Sequence, residues 1–326
     1  MSVDSWHAVA DLESMTHRAR MLQSIRAFFA AAEVLEVETP ALSAAAVTDL
    51  QIESFSTRMG QQSLYLQTSP EYPMKRLLAS GFPSIYQICK VYRREEQGPH
   101  HNPEFSLLEW YRLGFDYRQL MVEVVSLLQQ LSQRFSNSAT AEMTAVELSY
   151  QQAFLQTIGL DPLNTTVEQC RQLCQQQQIE IPQGMSTHQL DEWLDWLLTQ
   201  AVAPAFEKDR FTLLYDYPAS QCALAKISDD GLRAQRFEVF YGELELANGF
   251  TELTDAAEQR RRFEADNQQR QQAGLSAMPI DQRFLAALQA GLPESAGVAI
   301  GLDRLQMVLC DKASISEVLA FPFSRA

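Results

Sequence analysis

Basic residues are scarce in this sequence. Its 326 residues include 26 Lys and Arg against 41 Asp and Glu, which gives a formal net charge of -15 at pH 7. Proteins that bind nucleic-acid backbones depend on Lys and Arg to displace counterions from the phosphates. Extensive contact with RNA or DNA is therefore disfavoured, although a local basic patch is still compatible with this charge.

Cysteines and long apolar runs are also few. The five cysteines are odd in number, and only Cys170 and Cys174 lie close together in sequence. A metal site at that pair needs two further ligands nearby, so we expect buried or idle thiols in a reducing compartment. No apolar run approaches the ~20 residues of a membrane-spanning helix, and the N-terminus lacks a signal-peptide pattern. These features predict a cytoplasmic protein.

Hydrophobic periodicity predicts an α+β fold. Helical spacing occurs at 18–32, 70–79 and 255–272, and another helix begins near Gly301; the predicted strands are 34–37, 64–67, 85–92, 105–113, 211–215, 237–246 and 298–300. Between about 117 and 204 the apolar residues form helical stripes, which predicts a helical insertion. We expect one domain over 1–326, with a largely antiparallel sheet flanked by helices.

The densest polar segment is VYRREEQGPHHNPEF at 91–105, followed by Glu109, Trp110 and Tyr111. Two predicted strands flank this charged loop. An arginine at a strand end, Arg93, can clamp a carboxylate or phosphate, and an aromatic on the returning strand, Phe105, can stack on a base. A solvated hairpin is the alternative interpretation.

Three glutamates, Glu238, Glu245 and Glu252, recur at intervals of seven in apolar, strand-like segments. A carboxylate entering such a sheet needs a cation, because burying an unpaired charge is costly. Mg²⁺ or a substrate ammonium group can supply it. The alternative is that some of these glutamates face water, which is most plausible for Glu243.

The segment GVAIGLDR at 297–304 runs from a predicted strand through Gly301 into a helix. Glycine allows a ligand to approach the backbone closely, and a helix N-terminus favours an anion. Glycine before a helix is also common for packing reasons, so this pattern gains meaning only in combination with the others.

Taken in order with Pro40, these segments resemble the motifs of class II aminoacyl-tRNA synthetases. The helix and strand before Pro40 resemble motif 1, which implies a homodimer; 93–109 resembles motif 2 and 297–304 resembles motif 3. HNPEF at 101–105 and ANGFTEL at 247–253 narrow the resemblance to the lysyl branch.

The resemblance implies ATP and Mg²⁺ as cofactors and a set of site residues. Arg93 and Arg304 are the implied catalytic residues, and Glu238 and Glu245 the implied Mg²⁺ ligands. The implied ATP site is Arg93, Glu95, His101, Asn102, Phe105, Glu245, Leu246, Gly301 and Arg304. The implied amino-acid site is Ser69, Pro70, Glu71, Glu109, Tyr111, Asn248, Phe250, Glu252 and Ala299.

Individual roles follow from the same resemblance. Arg93 is expected to hold the α-phosphate and the amino-acid carboxylate, while Phe105 and Arg304 sandwich adenine. Glu95 and Asn102 contact ATP, and His101 reaches its outer phosphates; Glu71 binds the amino group near the carboxyl end, and Asn248 the carboxylate. The distal ammonium group is surrounded by Glu109, Tyr111 and Glu252. Such a site forms an acyl-adenylate mainly by positioning and charge neutralisation.

Some features depart from a full lysyl-tRNA synthetase. The motif 1 helix begins by about Thr16, so we expect no anticodon-binding domain, and Ala299 stands where lysyl synthetases usually have glycine. Ala44, Ala45 and Ala46 lie where those enzymes tend to have a glycine-containing loop. An added methyl group in a tight pocket changes which substrate fits, at ~1 to 3 kcal/mol per group.

These departures resemble the truncated lysyl-synthetase paralogues that attach (R)-β-lysine to a lysine side chain of bacterial translation elongation factor P. That resemblance implies a protein acceptor, (R)-β-lysine or lysine as substrate, and no stable tRNA binding. Two alternatives remain: a truncated synthetase that charges tRNA, and a silent paralogue that senses amino acids. The lost domain and the charge of -15 disfavour the first, and retention of Arg93, Glu238, Glu245 and Arg304 disfavours the second.

Overall fold

The computed structural model describes residues 6–136 and 144–326. Its helices are α1 (Leu12–Ala31), α2 (Glu71–Ala79), α3 (Tyr117–Phe135), α4 (Tyr150–Ile158), α5 (Val167–Gln177), α6 (Leu190–Leu197), α7 (Ala256–Gln272), α8 (Gln282–Gly291) and α9 (Leu302–Cys310). Its strands are β1 (Leu35–Glu36), β2 (Leu42–Ser43), β3 (Ser56–Met59), β4 (Gln62–Leu66), β5 (Ile85–Tyr92), β6 (Glu104–Leu113), β7 (Ala145–Ser149), β8 (Phe211–Pro218), β9 (Arg233–Tyr241), β10 (Leu244–Thr251) and β11 (Ser295–Gly301).

Eight of these strands form one sheet in the order β1-β5-β6-β11-β10-β9-β8-β7. Only the two outer pairs, β1 with β5 and β7 with β8, are parallel; the five inner pairs are antiparallel. The strands β2, β4 and β3 form a separate small sheet. The expected α+β fold with a largely antiparallel sheet is confirmed.

One face of the large sheet is covered by α1, α3 and α9, whose apolar residues form the main core. The inner strands contribute alternate residues to this core, because successive side chains of a strand point to opposite faces. Leu108 and Trp110 of β6, Phe237 and Val239 of β9, and Ala296, Val298 and Ile300 of β11 all lie in it. The intervening residues of these strands therefore point to the opposite face, which carries most of the polar residues predicted for the site.

One predicted strand was wrong. The segment 237–246 is two strands, because β9 ends at Tyr241 and the chain reverses at Gly242, whose φ is 55°, before β10 begins. Glycine adopts this left-handed conformation without strain. Glu243 lies in that turn and is exposed, as its alternative interpretation predicted. The hairpin also sets Glu238 beside Asn248 across the pair.

The segment 117–204 contains α3, α4, α5 and α6 together with β7, and its residues 137–143 lie outside the described residues. The stripe predicted on α3 is buried in the main core. Helices α4, α5 and α6 form a second hydrophobic cluster with β8 and β9, which includes Trp193, Leu194 and Leu197. This second cluster supports the outer half of the sheet.

All five cysteines are free thiols, as the sequence predicted. Within residues 6–136 and 144–326, no cluster of three or more His, Cys, Asp or Glu side chains could hold a metal ion. Over the same ranges, every helix is too short or too polar to cross a membrane.

Candidate active site

Two adjoining cavities lie on the open face of the large sheet. One has a volume of about 750 Å³ and the other about 980 Å³. Arg93, Asn248 and Ala299 line both cavities, so the two meet at the centre of the sheet. The smaller cavity is lined by motif 2 and motif 3 residues and the larger by the predicted amino-acid residues.

Arg93 and Phe105 face the smaller cavity from the ends of β5 and β6. The guanidinium carbon of Arg93 lies 5.1 Å from the centre of the Phe105 ring, and its Nη1 donates to Glu96 Oε1 at 2.9 Å. In this arrangement the arginine is held over an aromatic face with donors still available. A cation beside an aromatic plane suits a nucleotide, which brings both phosphates and a base.

Arg304 enters the same cavity from the first turn of α9. Its Nε donates to the carbonyl of His100 at 3.2 Å, and its Nη1 donates to the carbonyl of Glu245 at 2.9 Å. These bonds fix the guanidinium plane above the cavity. Gly301, which precedes α9, has no atom closer than 3.9 Å to the position of an added Cβ, so the backbone there is open to a ligand.

Of the other residues predicted to bind ATP, some line the smaller cavity and others do not. Asn102 lines it, but its side chain donates to the carbonyl of Glu104 at 2.5 Å and accepts from the Phe323 backbone at 2.9 Å. His101 is exposed, and its Nε2 lies 2.6 Å from Arg304 Nη2. Glu95 is exposed and outside the cavity wall, where Glu96 stands instead. The buried Leu246 lines the cavity.

Glu238 of β9 and Glu245 of the neighbouring β10 both line the smaller cavity. Glu238 accepts from Tyr217 Oη and from Arg236 Nη2, both at 2.5 Å. Burial raises the pKa of Glu245, and the charge of Glu238 raises it further. Three guanidinium groups act in the opposite direction, those of Arg304, Arg236 and Arg93. Both carboxyl groups line the cavity, and carboxylate oxygens are ligands that Mg²⁺ prefers, so these two residues fit an Mg²⁺ ion.

The larger cavity begins at Glu109 of β6, which is 3% exposed. Its two oxygens accept from Tyr111 Oη at 2.6 Å and from Ser69 Oγ at 2.8 Å. Burial, followed by the charge of Glu71, raises the pKa of Glu109 to about 7. The side chains predicted to surround an ammonium group are therefore together in the structure.

Glu252 lies at the end of β10 and is fully buried. Within the described part of the chain, no hydrogen bond reaches its Oε1 atom. Its other oxygen forms an ion pair with Lys75 Nζ, which also lies 2.5 Å from Glu71 Oε1. Burial raises the pKa of Glu252 to about 8, while Lys75 acts in the opposite direction. A substrate cation is the partner that the free oxygen lacks.

The walls of the larger cavity fit the remaining predictions with one exception. Phe250 and Ala299 line it, as do Ala44, Ala45 and Ala46 of the loop after β2. Ala299 lies opposite Glu109 on one side and opposite Asn248 on the other. Pro70 does not reach the cavity; it is buried at the start of α2.

Three charged residues were missed by the sequence interpretation. Lys75 follows Glu71 by four residues in a predicted helix, and Arg236 precedes Glu238 by two, one residue before the predicted strand 237–246. Both spacings put the two side chains on one face, so either residue could have been found. Glu96 gives no such signal, because it lies in an irregular loop. Lys75 and Arg236 provide from the protein itself the cations that buried glutamates need.

The two cavities differ in the charged groups that the sequence predicted for them. Arg93 and Arg304 line the smaller cavity, while Glu71, Glu109 and Glu252 line the larger one. Such a pair of cavities suits a phosphate ester beside an amine-bearing molecule, with reacting groups meeting at Arg93.

Residues 9–325 match the family model of class II tRNA synthetases specific for D, K and N. With an antiparallel sheet and both motif segments in place, the chain belongs to the class II tRNA synthetase family.

Similar proteins carry a more specific description. A protein of Pseudoalteromonas translucida, 48% identical over the full length of both chains, is named elongation factor P (R)-beta-lysine ligase. Relatives with the same name occur in Avibacterium paragallinarum, 44% identical over all of both chains, and in Salmonella typhi, 46% identical over 99% of this chain and 98% of the relative.

Proposed function

We propose that this chain activates (R)-β-lysine, and lysine less well, with ATP and transfers it to a lysine side chain of translation elongation factor P. The observation that carries the proposal is the cluster of Glu71, Glu109 and Glu252 in a cavity that meets, at Arg93, the cavity lined by Phe105 and Arg304. The names of relatives at 44% to 48% identity over full length support the same substrate and acceptor. These relatives cover 99% to 100% of this chain, so their support is not confined to one segment of it.

The proposed residue roles follow the two cavities of the site. Glu109, Tyr111 and Glu252 bind the distal ammonium group, and Glu71 binds the other amino group. Arg93 holds the carboxylate and the α-phosphate, and Phe105 and Arg304 hold adenine between them. Glu238 and Glu245 would hold Mg²⁺, which supplies charge neutralisation for the phosphates when it is bound.

The reaction proceeds in two displacements. A carboxylate oxygen of the amino acid attacks the α-phosphorus of ATP, and pyrophosphate leaves with the electrons of the broken P–O bond. The neutral ε-amine of the acceptor lysine then attacks the acyl carbon, AMP leaves, and the amine proton is released to solvent. The product is an amide. Arg93 neutralises the charge that gathers in the first displacement.

Mass spectrometry of purified elongation factor P tests this function. The factor is incubated with the protein, ATP and either (R)-β-lysine or lysine. We expect a mass increase equal to one β-lysyl residue, faster than with lysine, and none when the acceptor lysine is replaced by arginine. An unmodified factor, under conditions where ATP and amino acid exchange pyrophosphate, would disprove the acceptor; absence of exchange would disprove the activation.

We also propose a homodimer formed through the segment around Pro40. Exposed apolar side chains support it: Leu35 of β1, Leu42 of β2 and Met59 of β3 are 45%, 46% and 66% exposed. Apolar side chains that are exposed on one protomer can be buried against a second copy. Light scattering of the wild type should give twice the chain mass, and Leu42→Asp should give the monomer.

The remaining proposals concern organisation and location. Residues 1–326 form one catalytic domain in which about 117–204 is an insertion, and the protein works in the cytoplasm. Cell fractionation tests the location, and deletion of 150–204 tests whether the second hydrophobic cluster is needed for folding.

A further inference from the structure

Lys75 is a buried cation that none of the roles above uses. It lies on α2 one turn after Glu71, and its side chain is 1% exposed. Its ammonium nitrogen contacts both Glu71 and Glu252, and it lies 5.2 Å from the centre of the Phe250 ring and 5.7 Å from that of Phe284. A buried ammonium group is costly unless it is paired, and both of its partners are carboxylates of the larger cavity.

The contacts of Lys75 join two parts of the chain that are distant in sequence. Glu71 begins α2, whereas Glu252 follows β10 in the centre of the large sheet. Lys75 takes one oxygen of Glu252 and leaves Oε1 without a hydrogen bond among the described residues. That free atom lies only 2.5 Å from where a Cβ on Gly297 would stand, so only glycine leaves it room. The pairing thus fixes the carboxylate with one oxygen available.

Lys75 also reduces the negative charge of the carboxylate cluster formed by Glu71, Glu109 and Glu252. These three carboxylates and the ammonium group of Lys75 give a net charge of -2 for the four groups when all are ionised. An amino acid with two amino groups brings two positive charges to these carboxylates, while its own carboxylate lies toward Arg93. The charge of these four protein groups and the charge of the two amino groups then balance.

Loss of this cation has a predictable effect on Glu252. Burial raises the pKa of Glu252, the positive charge of Lys75 lowers it, and Glu71 and Glu109 raise it. Without Lys75 this opposing contribution disappears and the pKa of Glu252 rises further. Glu252 then stays protonated up to a higher pH, and in that neutral form it no longer attracts an ammonium group. Burial lowers the pKa of Lys75 itself, but Glu252 and Glu71 outweigh burial and raise it, so the cation persists.

We propose that Lys75 is a positioning residue that holds Glu71 and Glu252 in their substrate-binding orientation and matches the carboxylate cluster to an amino acid with two ammonium groups. The inference rests on the proposed function, because it assigns Glu71 and Glu252 to the amino groups of that substrate.

The test uses Lys75→Met and Lys75→Gln in the full chain, with Lys226→Met as a matched control. Lys226 forms an exposed ion pair with Glu294 at 3.6 Å, outside both cavities. Pyrophosphate exchange is measured with lysine, (R)-β-lysine and norleucine, which lacks the distal ammonium group. The KM for ATP and thermal unfolding are recorded in parallel, and the lysine KM is followed from pH 6 to 9.

We expect the lysine KM of Lys75→Met to rise about tenfold or more, since a charge-assisted contact is lost. The preference for lysine over norleucine should fall, and the pH at which the lysine KM levels off should rise. The KM for ATP should stay near the wild-type value. A merely structural role would lower the unfolding temperature without moving the pH profile or the norleucine ratio.

A folded Lys75→Met protein with the wild-type lysine KM, the wild-type preference for lysine over norleucine and the wild-type pH profile would overturn this inference and leave the proposed function standing. If neither neutral variant folds, Lys75→Arg carries the test, because it keeps a cation but changes the spacing between Glu71 and Glu252. A wild-type lysine KM in Lys75→Arg would then count against positioning. A wild type that activates neither lysine nor (R)-β-lysine would overturn the proposed function, and this inference with it.

Discussion

At the scale of single residues, Glu252 carries the strongest expectation. Its side chain is fully buried and one of its oxygens has no hydrogen bond among the described residues. Glu252→Gln keeps the shape but removes the charge, so we expect the KM for lysine to rise about tenfold or more. Pyrophosphate exchange at varied lysine concentration measures this KM. Glu264→Gln, the same change on the exposed face of α7, is the control. Wild-type activation kinetics in Glu252→Gln would mean that the pocket is misplaced.

Ala299 is the residue expected to choose between the two lysine isomers. Its methyl group lies on the open face of β11, where the two cavities meet. Ala299→Gly enlarges the pocket, so relative kcat/KM should shift toward ordinary lysine by about tenfold, as expected for one methyl group. Ala296→Gly is the matched control, because Ala296 is on the same strand but faces the core. An unchanged isomer ratio in Ala299→Gly would refute this assignment.

Two raised carboxyl pKa values predict how binding depends on pH. In the free protein, burial followed by the charge of Glu71 raises the pKa of Glu109 to about 7, and burial raises that of Glu252 to about 8. Lysine binds their ionised forms, so protons must leave before or during binding. The groups that face them are Lys75 and Glu71 from α2 and Tyr111 from β6. Affinity should therefore rise with pH from 6 to about 9, one unit above the pKa of Glu252.

Calorimetry in buffers of different ionisation enthalpy measures this proton release directly. We expect net release near pH 7 on lysine binding, and a smaller release in Glu252→Gln, which cannot titrate at that position. The idea fails if lysine affinity is the same at pH 6 and pH 8 and no protons are released.

At the scale of elements, two glycines on neighbouring strands point to opposite faces and should behave differently. A Cβ on Gly249 would meet Phe237 Cζ and Val298 Cβ at 2.7 Å in the core, whereas a Cβ on Gly297 would meet Tyr111 and Glu252 in the site. Gly249→Ala should lower the free energy of unfolding by about 1 to 3 kcal/mol through overpacking. Gly297→Ala should weaken lysine binding and leave ATP binding unchanged.

Thermal unfolding and separate lysine and ATP titrations distinguish these two outcomes. Both substitutions add one methyl group to an inner strand, so each serves as the control for the other. If Gly297→Ala bound lysine normally, the close approach of Tyr111 and Glu252 would have no part in recognition.

The sequence predicted the elements better than their arrangement. The bounds of β5 were right and those of β6 were off by one residue, since apolar and charged residues mark both strands clearly. The turn at Gly242 was missed because apolar residues continue on both sides of it. Helix α1 begins at Leu12 rather than Arg18, where Asp11 accepts a hydrogen bond from the Ser14 backbone at 2.7 Å. Aspartate is a favoured N-cap residue, so Asp11 could have marked the start of this helix.

The arrangement of the site could not be derived from periodicity. Strand β11 inserts between β6 and β10, although it comes last in the chain, and this pairing brings Glu109, Ala299 and Asn248 into one row. Local patterns carry no information on such non-local pairing. Only the resemblance to a known family predicted that these residues share one site. That resemblance did not predict Lys75 of α2 as the ion-pair partner of Glu252.

At the scale of the whole molecule, the net charge disfavours tRNA as the acceptor. The net charge of -15 comes from 41 acidic and 26 basic residues, and several of the arginines are already engaged with carboxylates inside the protein. Binding tRNA needs several free cations along its backbone. We therefore expect no aminoacylation of bulk tRNA and no mobility shift of tRNA with this protein at physiological salt.

The decisive comparison gives one enzyme preparation both acceptors. Labelled lysine or (R)-β-lysine, ATP and protein are divided between bulk tRNA and purified elongation factor P, and acid-precipitable label is measured before and after mild alkali. An ester on tRNA is lost in alkali, whereas an amide on a protein lysine survives. We expect alkali-stable label on the factor alone. Alkali-labile label on tRNA, at a rate comparable to that on the factor, would restore the truncated-synthetase alternative, because the acidic surface would then not prevent tRNA from reaching the adenylate.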